Sequence, residues 1–289
     1  MQDTDKREAC SSLCCDTPWV MFTAACIQIQ GSSDVERNLR VTETLIRRAA
    51  AMGCDLVATP EATTYLGPHS RKVQLAEPVD GPTHRRLGAL AAELNIHLLI
   101  GSVAERAEGE TSRCHNTSLL FGPDGSLLSS YRKMHLFDVD IPGGVRFSES
   151  ATCAPGREPV VAHTALGTLG LTICYDLRFP ELYRTLVDQG ATILAVPSAF
   201  TLMTGKDHWH ALLRARAIET QSYVIAPGQW GAHDDDGLRR SYGHSVIIDP
   251  WGVVVAQCSD GEGLCVAAID LDMVARIRRS MPLMDHRRL

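Results

Sequence analysis

The feature that most constrains the fold of this chain is a repeated alternation of short apolar runs with longer amphipathic stretches. The short runs are rich in Val, Ile, Leu and Ala, as is typical of buried strands. The first amphipathic stretch runs from Asp34, a suitable N-cap, to Met52, and its apolar stripe has the spacing of a helix. Pro-Asp-Gly at 123–125 separates two alternating runs and predicts a hairpin.

This pattern predicts a single α/β domain with mixed sheets, because strands and helices alternate and late strands are joined as hairpins. The predicted strands are 19–30, 55–61, 96–103, 117–121, 126–131, 192–198, 222–227, 243–249, 253–258 and 263–271, with a further apolar strand leading into residue 174. The predicted helices are 34–52, 82–94, 180–189, 208–219 and 273–279. No repeat or linker interrupts the chain, so we expect one domain over 19–289, preceded by a mobile tail over 1–18.

Composition excludes several classes of partner. The net charge is −6 and the basic residues are scattered, so nothing resembles the basic patch of a nucleic-acid-binding protein. No apolar stretch approaches the roughly 18 residues that span a bilayer. The first 18 residues contain no apolar segment typical of a signal peptide, and we expect a cytoplasmic protein.

The ten cysteines are expected to be free thiols. A chain of this length can bury a sizeable core and does not need disulfides for stability. No CxxC spacing is present, and His208 and His210 point to different faces of a helix, so we predict no metal and no cofactor.

Three polar residues follow predicted strands and are not explained by the apolar pattern: Glu61, Lys133 and Cys174. Ligands of open α/β sheets gather beyond the carboxyl ends of strands, which makes such positions candidates for a site. Taken singly, each also has an ordinary interpretation: a helix cap, a solvated surface lysine or a small core residue.

Together the three residues are of the types needed for nucleophilic catalysis by a thiol. A thiol needs a neighbouring base or cation to act as a nucleophile. Glu61 could take the proton of Cys174 and later give it to a departing amine. Lys133 could face the oxygen that becomes negative when an acyl carbon turns tetrahedral, with the backbone N–H of Tyr175 as a second donor.

Three segments containing these residues resemble the catalytic motifs of the nitrilase superfamily, the carbon–nitrogen hydrolases with a Glu-Lys-Cys triad. The segments are "PEATTYLG", "YRKMHLFDVDIP" and "GLTICYDLRFPELYR". The resemblance implies that Cys174 is the nucleophile, Glu61 the general base and acid, and Lys133 the oxyanion stabiliser. "RFSES" resembles the segment of the family's second glutamate, so Glu149 is expected to orient Lys133 or the hydrolytic water, the alternative being an ordinary loop carboxylate. The resemblance also implies a four-layer αββα sandwich and a homodimer or higher homo-oligomer.

The later segments resemble the branch of small amidases that acts on deaminated glutathione, notably "PSAF", "RARAIETQ" and "SYGHS". "LFDVDIP" and "FSES" instead resemble the sister branch, the omega-amidases of 2-oxoglutaramate. A small-molecule amide is the expected partner in both cases. A third alternative is a scaffold that has kept the fold without catalysis.

Both substrates carry a 2-oxo acid carboxylate, which needs a cation near the nucleophile. Arg178 is the candidate because guanidinium pairs a carboxylate in a bidentate manner, although an ion pair with Asp176 or Glu181 is the alternative. We expect Phe200, Thr201 and His208 to line the substrate pocket together with Tyr175, with plain packing as the alternative.

Overall fold

The structure, a computed structural model, describes residues 21–140, 146–233 and 239–288. The expected tail over 1–18 and the first two residues of the first predicted strand lie outside the described residues. Among the described residues, no helix is both long and apolar enough to cross a bilayer.

The described chain forms two six-stranded sheets, two small two-stranded sheets and the helices that cover them. The helices are α1 Val35–Ala51, α2 His69–Gln74, α3 Pro82–Leu94, α4 Pro180–Asp188, α5 Leu202–Thr220, α6 Leu271–Ser280 and α7 Leu283–His286. The first eight strands are β1 Met21–Gln28, β2 Leu56–Ala58, β3 His97–Arg106, β4 Cys114–Phe121, β5 Leu127–Arg132, β6 Asp138–Asp140, β7 Arg146–Ser148 and β8 Val160–Thr164. The others are β9 Gly167–Leu171, β10 Ile193–Ala195, β11 Tyr223–Ala226, β12 Trp230–Ala232, β13 Arg240–Tyr242, β14 Val246–Ile248, β15 Val254–Gln257 and β16 Gly263–Asp270.

Sheet I has the order β16-β1-β2-β3-β4-β5, and sheet II has the order β15-β14-β11-β10-β9-β8. In sheet I the three strands β1, β2 and β3 are parallel and the flanking strands are antiparallel. Sheet II repeats this arrangement, with β9, β10 and β11 parallel. The fold is therefore mixed α/β, as predicted.

The layers follow from the two-residue period of the strands. On β1, Ala24 and Cys26 pack in the apolar layer shared with sheet II, whereas Ala25 and Ile27 pack under α1 and α3. Sheet II is covered on its other side by apolar residues of α4 and α5, among them Leu186 and Leu213. The order of layers is helices, sheet I, sheet II, helices, which is the expected four-layer αββα sandwich.

Some helix ends lie where the sequence predicted them, and others do not. The carboxylate of Asp34 accepts a hydrogen bond from the N–H of Arg37 at 2.9 Å, so α1 begins with the predicted cap. Helix α3 has the predicted bounds, with Pro82 in its first turn and Asn95 left-handed at its end. Other boundaries differ: α5 begins at Leu202 rather than 208, and β2 ends at Ala58, three residues before Glu61.

The sheet directions bring distant segments to one edge. Strand β5 is antiparallel to β4, which is antiparallel to β3, so β5 runs in the same direction as β2. The residues after β2 and β5 therefore emerge at the same edge of sheet I. The residues after β9 and β10 emerge together from sheet II for the same reason.

Candidate active site

The ammonium of Lys133 lies between two carboxylates. Its Nζ is 2.9 Å from Oε1 of Glu61 and 2.8 Å from Oε2 of Glu149. All three side chains are buried, and that of Lys133 is only 2% exposed. Burial opposes the charge of Lys133, but the two carboxylates outweigh it and raise the pKa of Lys133 well above its usual value. Lys133 is therefore charged throughout the working range of pH.

The carboxylate of Glu149 is held by a backbone hydrogen bond as well as by Lys133. The backbone N–H of Phe137 also donates to Oε2 of Glu149, at 2.8 Å. Burial raises the pKa of this carboxyl, but the charges of Lys133 and Lys72 lower it more strongly, and the result is a pKa of about 2. The predicted contact between Glu149 and Lys133 is thus present, and Glu149 is an ionised, buried group rather than an ordinary loop carboxylate.

Cys174 begins a short 3₁₀ segment, Cys174–Arg178, three residues beyond the end of β9. Its backbone has a φ of 50°, a left-handed conformation that a side chain makes costly. The backbone N–H of Cys174 donates to the carbonyl of Pro197 at 2.9 Å, which ties the turn to the segment after β10. Such strain is characteristic of functional positions, where the surrounding structure holds one residue in place.

Cys174 and Glu61 line the same cavity. Burial and the charge of Glu61 raise the pKa of the thiol well above its ordinary value, while Lys133 acts in the opposite direction. The resting pair is consequently a neutral thiol beside a carboxylate, which is the arrangement needed for proton transfer to Glu61 when the sulfur attacks.

Several residues that position Glu61 were missed at the level of sequence. Nδ2 of Asn116 donates to Oε1 of Glu61 at 2.9 Å and to Oε1 of Glu149 at 3.0 Å. The N–H of Ala199 donates to Oε2 of Glu61 at 2.8 Å, and Nε2 of Gln229 donates to its backbone carbonyl at 2.8 Å. Hydrogen bonds therefore hold both carboxylate oxygens and the main chain of Glu61 in place.

The loop after Cys174 is held by a buried carboxylate. Asp176 accepts hydrogen bonds from the Tyr131 hydroxyl at 2.7 Å and from the N–H of Ile173 at 2.8 Å. It also accepts from the N–H of His135 at 3.1 Å. Because Asp176 is occupied in this way, it does not form the ion pair with Arg178 that was the alternative interpretation.

Four of the five predicted pocket residues line one cavity with Cys174: Tyr175, Arg178, Phe200 and Thr201. The guanidinium of Arg178 lies 5.2 Å from the ring centre of Phe200 and 5.9 Å from that of Tyr175. His208 is exposed on α5, outside the lining, and its Nδ1 lies 3.3 Å from Nη1 of Arg178. His208 thus contacts the predicted carboxylate-binding residue rather than the cavity.

A second, partly buried ammonium lies beside the site. Nζ of Lys72 is 3.3 Å from Sγ of Cys153, which forms an isolated β-bridge with Cys114. Contact with Cys114 and the charge of Lys72 lower the pKa of Cys153 to about 6, although burial opposes this. Nothing in the sequence indicated this cluster, because its three members, Lys72, Cys114 and Cys153, are each 39 or more residues apart in the chain.

The seven cysteines within the described ranges are free, as predicted. No group of three or more His, Cys, Asp and Glu side chains in those ranges is placed to hold a metal ion. His210 instead lies 2.9 Å from the amide oxygen of Gln257.

The sandwich, the strained cysteine and the paired Glu-Lys arrangement define a class of hydrolase, and the comparison with known proteins agrees. The family described as "Carbon-nitrogen hydrolase" matches residues 23–279, so the chain belongs to this family and is a carbon–nitrogen hydrolase.

Two curated relatives cover nearly the whole chain. A deaminated glutathione amidase from Synechocystis sp. is 42% identical over 268 residues, which are 92% of this chain and 98% of that protein. The omega-amidase NIT2 from Mus musculus is 39% identical over 273 residues, 92% of this chain and 95% of that protein.

Among solved structures, the NitFhit protein of C. elegans superimposes with a TM-score of 0.87 at 41% identity. The match covers 93% of this chain but spans only 65% of that protein's chain. The nitrilase fold expected from the sequence motifs is confirmed.

Proposed function

We propose that this chain hydrolyses the side-chain amide of deaminated glutathione, releasing 2-oxoglutarate and cysteinylglycine through a thioester on Cys174. The observation that carries the proposal is the contact of the Glu61 carboxylate with the Lys133 ammonium at 2.9 Å, in the cavity that Cys174 also lines. The relatives with this name support the choice of substrate, because they match almost the full length of the chain.

In the acylation step, the sulfur of Cys174 bonds to the amide carbon while its proton passes to Glu61. The carbonyl oxygen becomes negative and faces Lys133 and the backbone N–H of Tyr175. Glu61 loses its charge at the moment the oxyanion gains one, so the number of negative charges around Lys133 stays constant. The transition state therefore forms without adding net charge to the buried site.

The tetrahedral intermediate then expels the amine, which takes the proton from Glu61. Water next attacks the thioester carbon, with Glu61 accepting a proton from the water and returning one to the departing sulfur. Glu149 holds Lys133 in position throughout. Arg178, at the cavity wall, is proposed to bind the 2-oxo acid carboxylate.

The second candidate is an omega-amidase that acts on 2-oxoglutaramate, and the 39% identity to omega-amidase NIT2 supports it. The two substrates share an acyl half and differ only in the leaving group. Measuring kcat/KM for both by 2-oxoglutarate release distinguishes them. We expect deaminated glutathione to be favoured by more than about tenfold, a difference of about 1.4 kcal/mol. Equal values, or a preference for 2-oxoglutaramate, would favour the omega-amidase.

The scaffold alternative is tested by mass spectrometry of the protein after brief mixing with substrate and acid quenching. We expect an acyl adduct on Cys174, whereas a scaffold without catalysis would carry none.

We further propose that the protein is a cytoplasmic homodimer or higher homo-oligomer. Exposed apolar side chains cluster on the turn between β14 and β15 and on β15 itself: Trp251, Val253, Val254 and Val255. Such a contiguous apolar surface supports an association between subunits. Light scattering after size-exclusion chromatography gives the oligomeric state, and a monomer would contradict the proposal.

A further inference from the structure

The two chain segments that carry Lys133 and Cys174 meet at one buried side chain, Asp176. Lys133 follows β5 of sheet I, and Cys174 follows β9 of sheet II. Asp176 lies two residues after Cys174 and is 0% exposed. Its carboxylate accepts hydrogen bonds from both segments, so it connects the parts of the site that come from different sheets.

The acceptor capacity of this carboxylate is fully used. Oδ2 of Asp176 accepts from the hydroxyl of Tyr131 at 2.7 Å and from the backbone N–H of Ile173 at 2.8 Å. Oδ1 lies 3.1 Å from the backbone nitrogen of His135 and 2.7 Å from its Nδ1. Since a carboxylate only accepts, both nitrogens of His135 donate to it. A carboxylate offers about four acceptor positions, so Asp176 has none left for a substrate.

The donors from sheet I lie on both sides of Lys133. Tyr131 precedes Lys133 by two residues, and His135 follows it by two residues. The hydroxyl of Tyr131 also accepts from the backbone N–H of Met134 at 3.2 Å, which holds the chain just after Lys133. The main chain before and after Lys133 is thus tied to the turn that carries Cys174.

A ring contact joins the same two segments. The ring of His135 is stacked on that of Phe179, with 3.8 Å between the ring centres and 8° between the planes. Phe179 belongs to the turn of Asp176, because its N–H donates to the carbonyl of Asp176 at 3.0 Å. The side chain of His135 therefore contacts this turn through both a hydrogen bond and a ring face.

Glu61 has connections of its own to sheet II. The N–H of Ala199, after β10, donates to its carboxylate, and the side chain of Gln229, after β11, donates to its backbone carbonyl. Neither contact involves the main chain around Lys133. The proton acceptor and the oxyanion donor are thus joined to the sheet of the nucleophile at different places.

We propose that Asp176 is a positioning residue that sets the place of the Lys133 ammonium relative to the sulfur of Cys174. The inference rests on the roles given to Lys133 and Cys174 in the proposed function. An oxyanion donor is effective only where the tetrahedral oxygen will form, and a displacement of about 1 Å can cost about 10²-fold in rate. Asp176 prevents such a displacement without touching the substrate.

The test uses Tyr131→Phe, because replacing Asp176 itself leaves four donors without their acceptor and destabilises the fold. Tyr131→Phe removes one of these donors and keeps the ring. Two reactions are followed: 2-oxoglutarate release from deaminated glutathione, and acylation of Cys174 by p-nitrophenyl acetate, measured as nitrophenolate release. The ester reports on the oxyanion contact and does not depend on the natural substrate. We expect kcat for the amide and the acylation rate for the ester to fall by about ten- to a hundredfold, with KM changed by less than about threefold.

Tyr183→Phe is the matched control, because it removes another fully buried hydroxyl close to the nucleophile. The hydroxyl of Tyr183 lies 3.0 Å from Oγ1 of Thr172, two residues before Cys174, and both partners belong to the sheet II side of the site. Both variants should lower the melting temperature, since each loses a buried hydrogen bond. Only Tyr131→Phe should lower the two rates.

Combining Tyr131→Phe with Lys133→Met separates positioning from general damage. Without the ammonium there is nothing for Tyr131 to position, so adding Tyr131→Phe to Lys133→Met should change the rates by less than about twofold. Equal losses in both backgrounds, or wild-type rates in Tyr131→Phe, would overturn the positioning role and leave the proposed function standing. If wild type is acylated by the ester but does not hydrolyse deaminated glutathione, the proposed substrate is wrong, and the ester reaction still decides the role of Asp176.

Discussion

The side-chain nitrogen of Asn116 lies 2.9 Å from Oε1 of Glu61 and donates a hydrogen bond to it. The same nitrogen lies 3.0 Å from Glu149, so its two N–H groups serve two carboxylates. A neutral amide can hold two carboxylates near each other without adding charge to the site. Asn116 is therefore a positioning residue for both glutamates that contact Lys133.

We predict that Asn116→Ala lowers kcat by about ten- to a hundredfold with a much smaller change in KM. The substitution leaves two buried carboxylates each short of one donor, which costs about 1–3 kcal/mol of stability and loosens the proton acceptor. Steady-state kinetics and thermal unfolding measure the two effects. Asn116→Asp should be worse, because it adds a third carboxylate. A kcat within twofold of wild type for Asn116→Ala would remove the positioning role.

Cys174→Ala and Cys174→Gly should both abolish turnover, because neither has a nucleophile. They should differ in stability. The φ of 50° at this position is costly for alanine and free for glycine, so the glycine variant should be more stable by about 1 kcal/mol. Chemical denaturation of the pair measures the difference. Turnover above a few per cent of wild type in either variant would exclude Cys174 as the nucleophile, and equal stability would show that the backbone relaxes there.

Lys133→Met should reduce kcat by at least about 10²–10³-fold, the usual effect of losing one oxyanion donor. The loss should fall mainly on kcat, because the charge that Lys133 meets is fully developed only in the tetrahedral intermediate. Lys133→Arg provides the comparison that retains charge. A raised KM with unchanged kcat in Lys133→Met would instead indicate a role in ground-state binding.

Glu149→Gln should change how stability depends on acid. The folded pKa of about 2 lies below the ordinary value of 4.5, so the stabilisation is complete above pH 4.5 and is lost as pH falls towards 2. It is on the order of 3 kcal/mol. The unfolding free energies of wild type and Glu149→Gln should therefore differ most at neutral pH and converge as the pH falls to about 2. Glu158→Gln, at an exposed loop position, serves as control, and a gap that is independent of pH would contradict the prediction.

Arg178→Ala should lower kcat/KM for deaminated glutathione and for 2-oxoglutaramate by similar factors of about tenfold or more, because both present the same 2-oxo acid carboxylate. Arg178→Lys should recover part of this loss, since it retains the charge without the planar fork. Unchanged values for both substrates would place the carboxylate elsewhere in the cavity.

The sequence was sufficient to predict helix ends and turns where the signal lies in a few neighbouring residues. Pro82 and Asn95 determine both ends of α3, and Pro-Asp-Gly determines the turn between β4 and β5. The predicted helix began at 208, whereas α5 begins at Leu202 and contains Gly205. In the structure, a Cβ at Gly205 would lie 2.3 Å from Cβ of Tyr242, so the glycine reflects close packing within a helix.

The site residues that were not predicted from the sequence lie far along the chain from the residues that they hold. Asn116 is 55 residues from Glu61, and Gln229 is 168 residues from it. Their roles depend on which strands become neighbours, and no local pattern contains that information. The reactive residues could be predicted because motifs mark them, whereas the residues that hold them in place could not.

The site is divided between the two sheets. Asn116 lies on β4 of sheet I, Glu61 and Lys133 follow strands of the same sheet, and Cys174 and Ala199 follow strands of sheet II. During synthesis, Glu61, the proposed general base, is made more than a hundred residues before Cys174, the proposed nucleophile. Until the sheets dock, Cys174 is an ordinary exposed thiol without its proton acceptor, and Glu61 is an ordinary carboxylate. An unfinished or misassembled chain therefore cannot be acylated by the metabolites around it through this chemistry, and reactivity appears only in molecules that have completed folding.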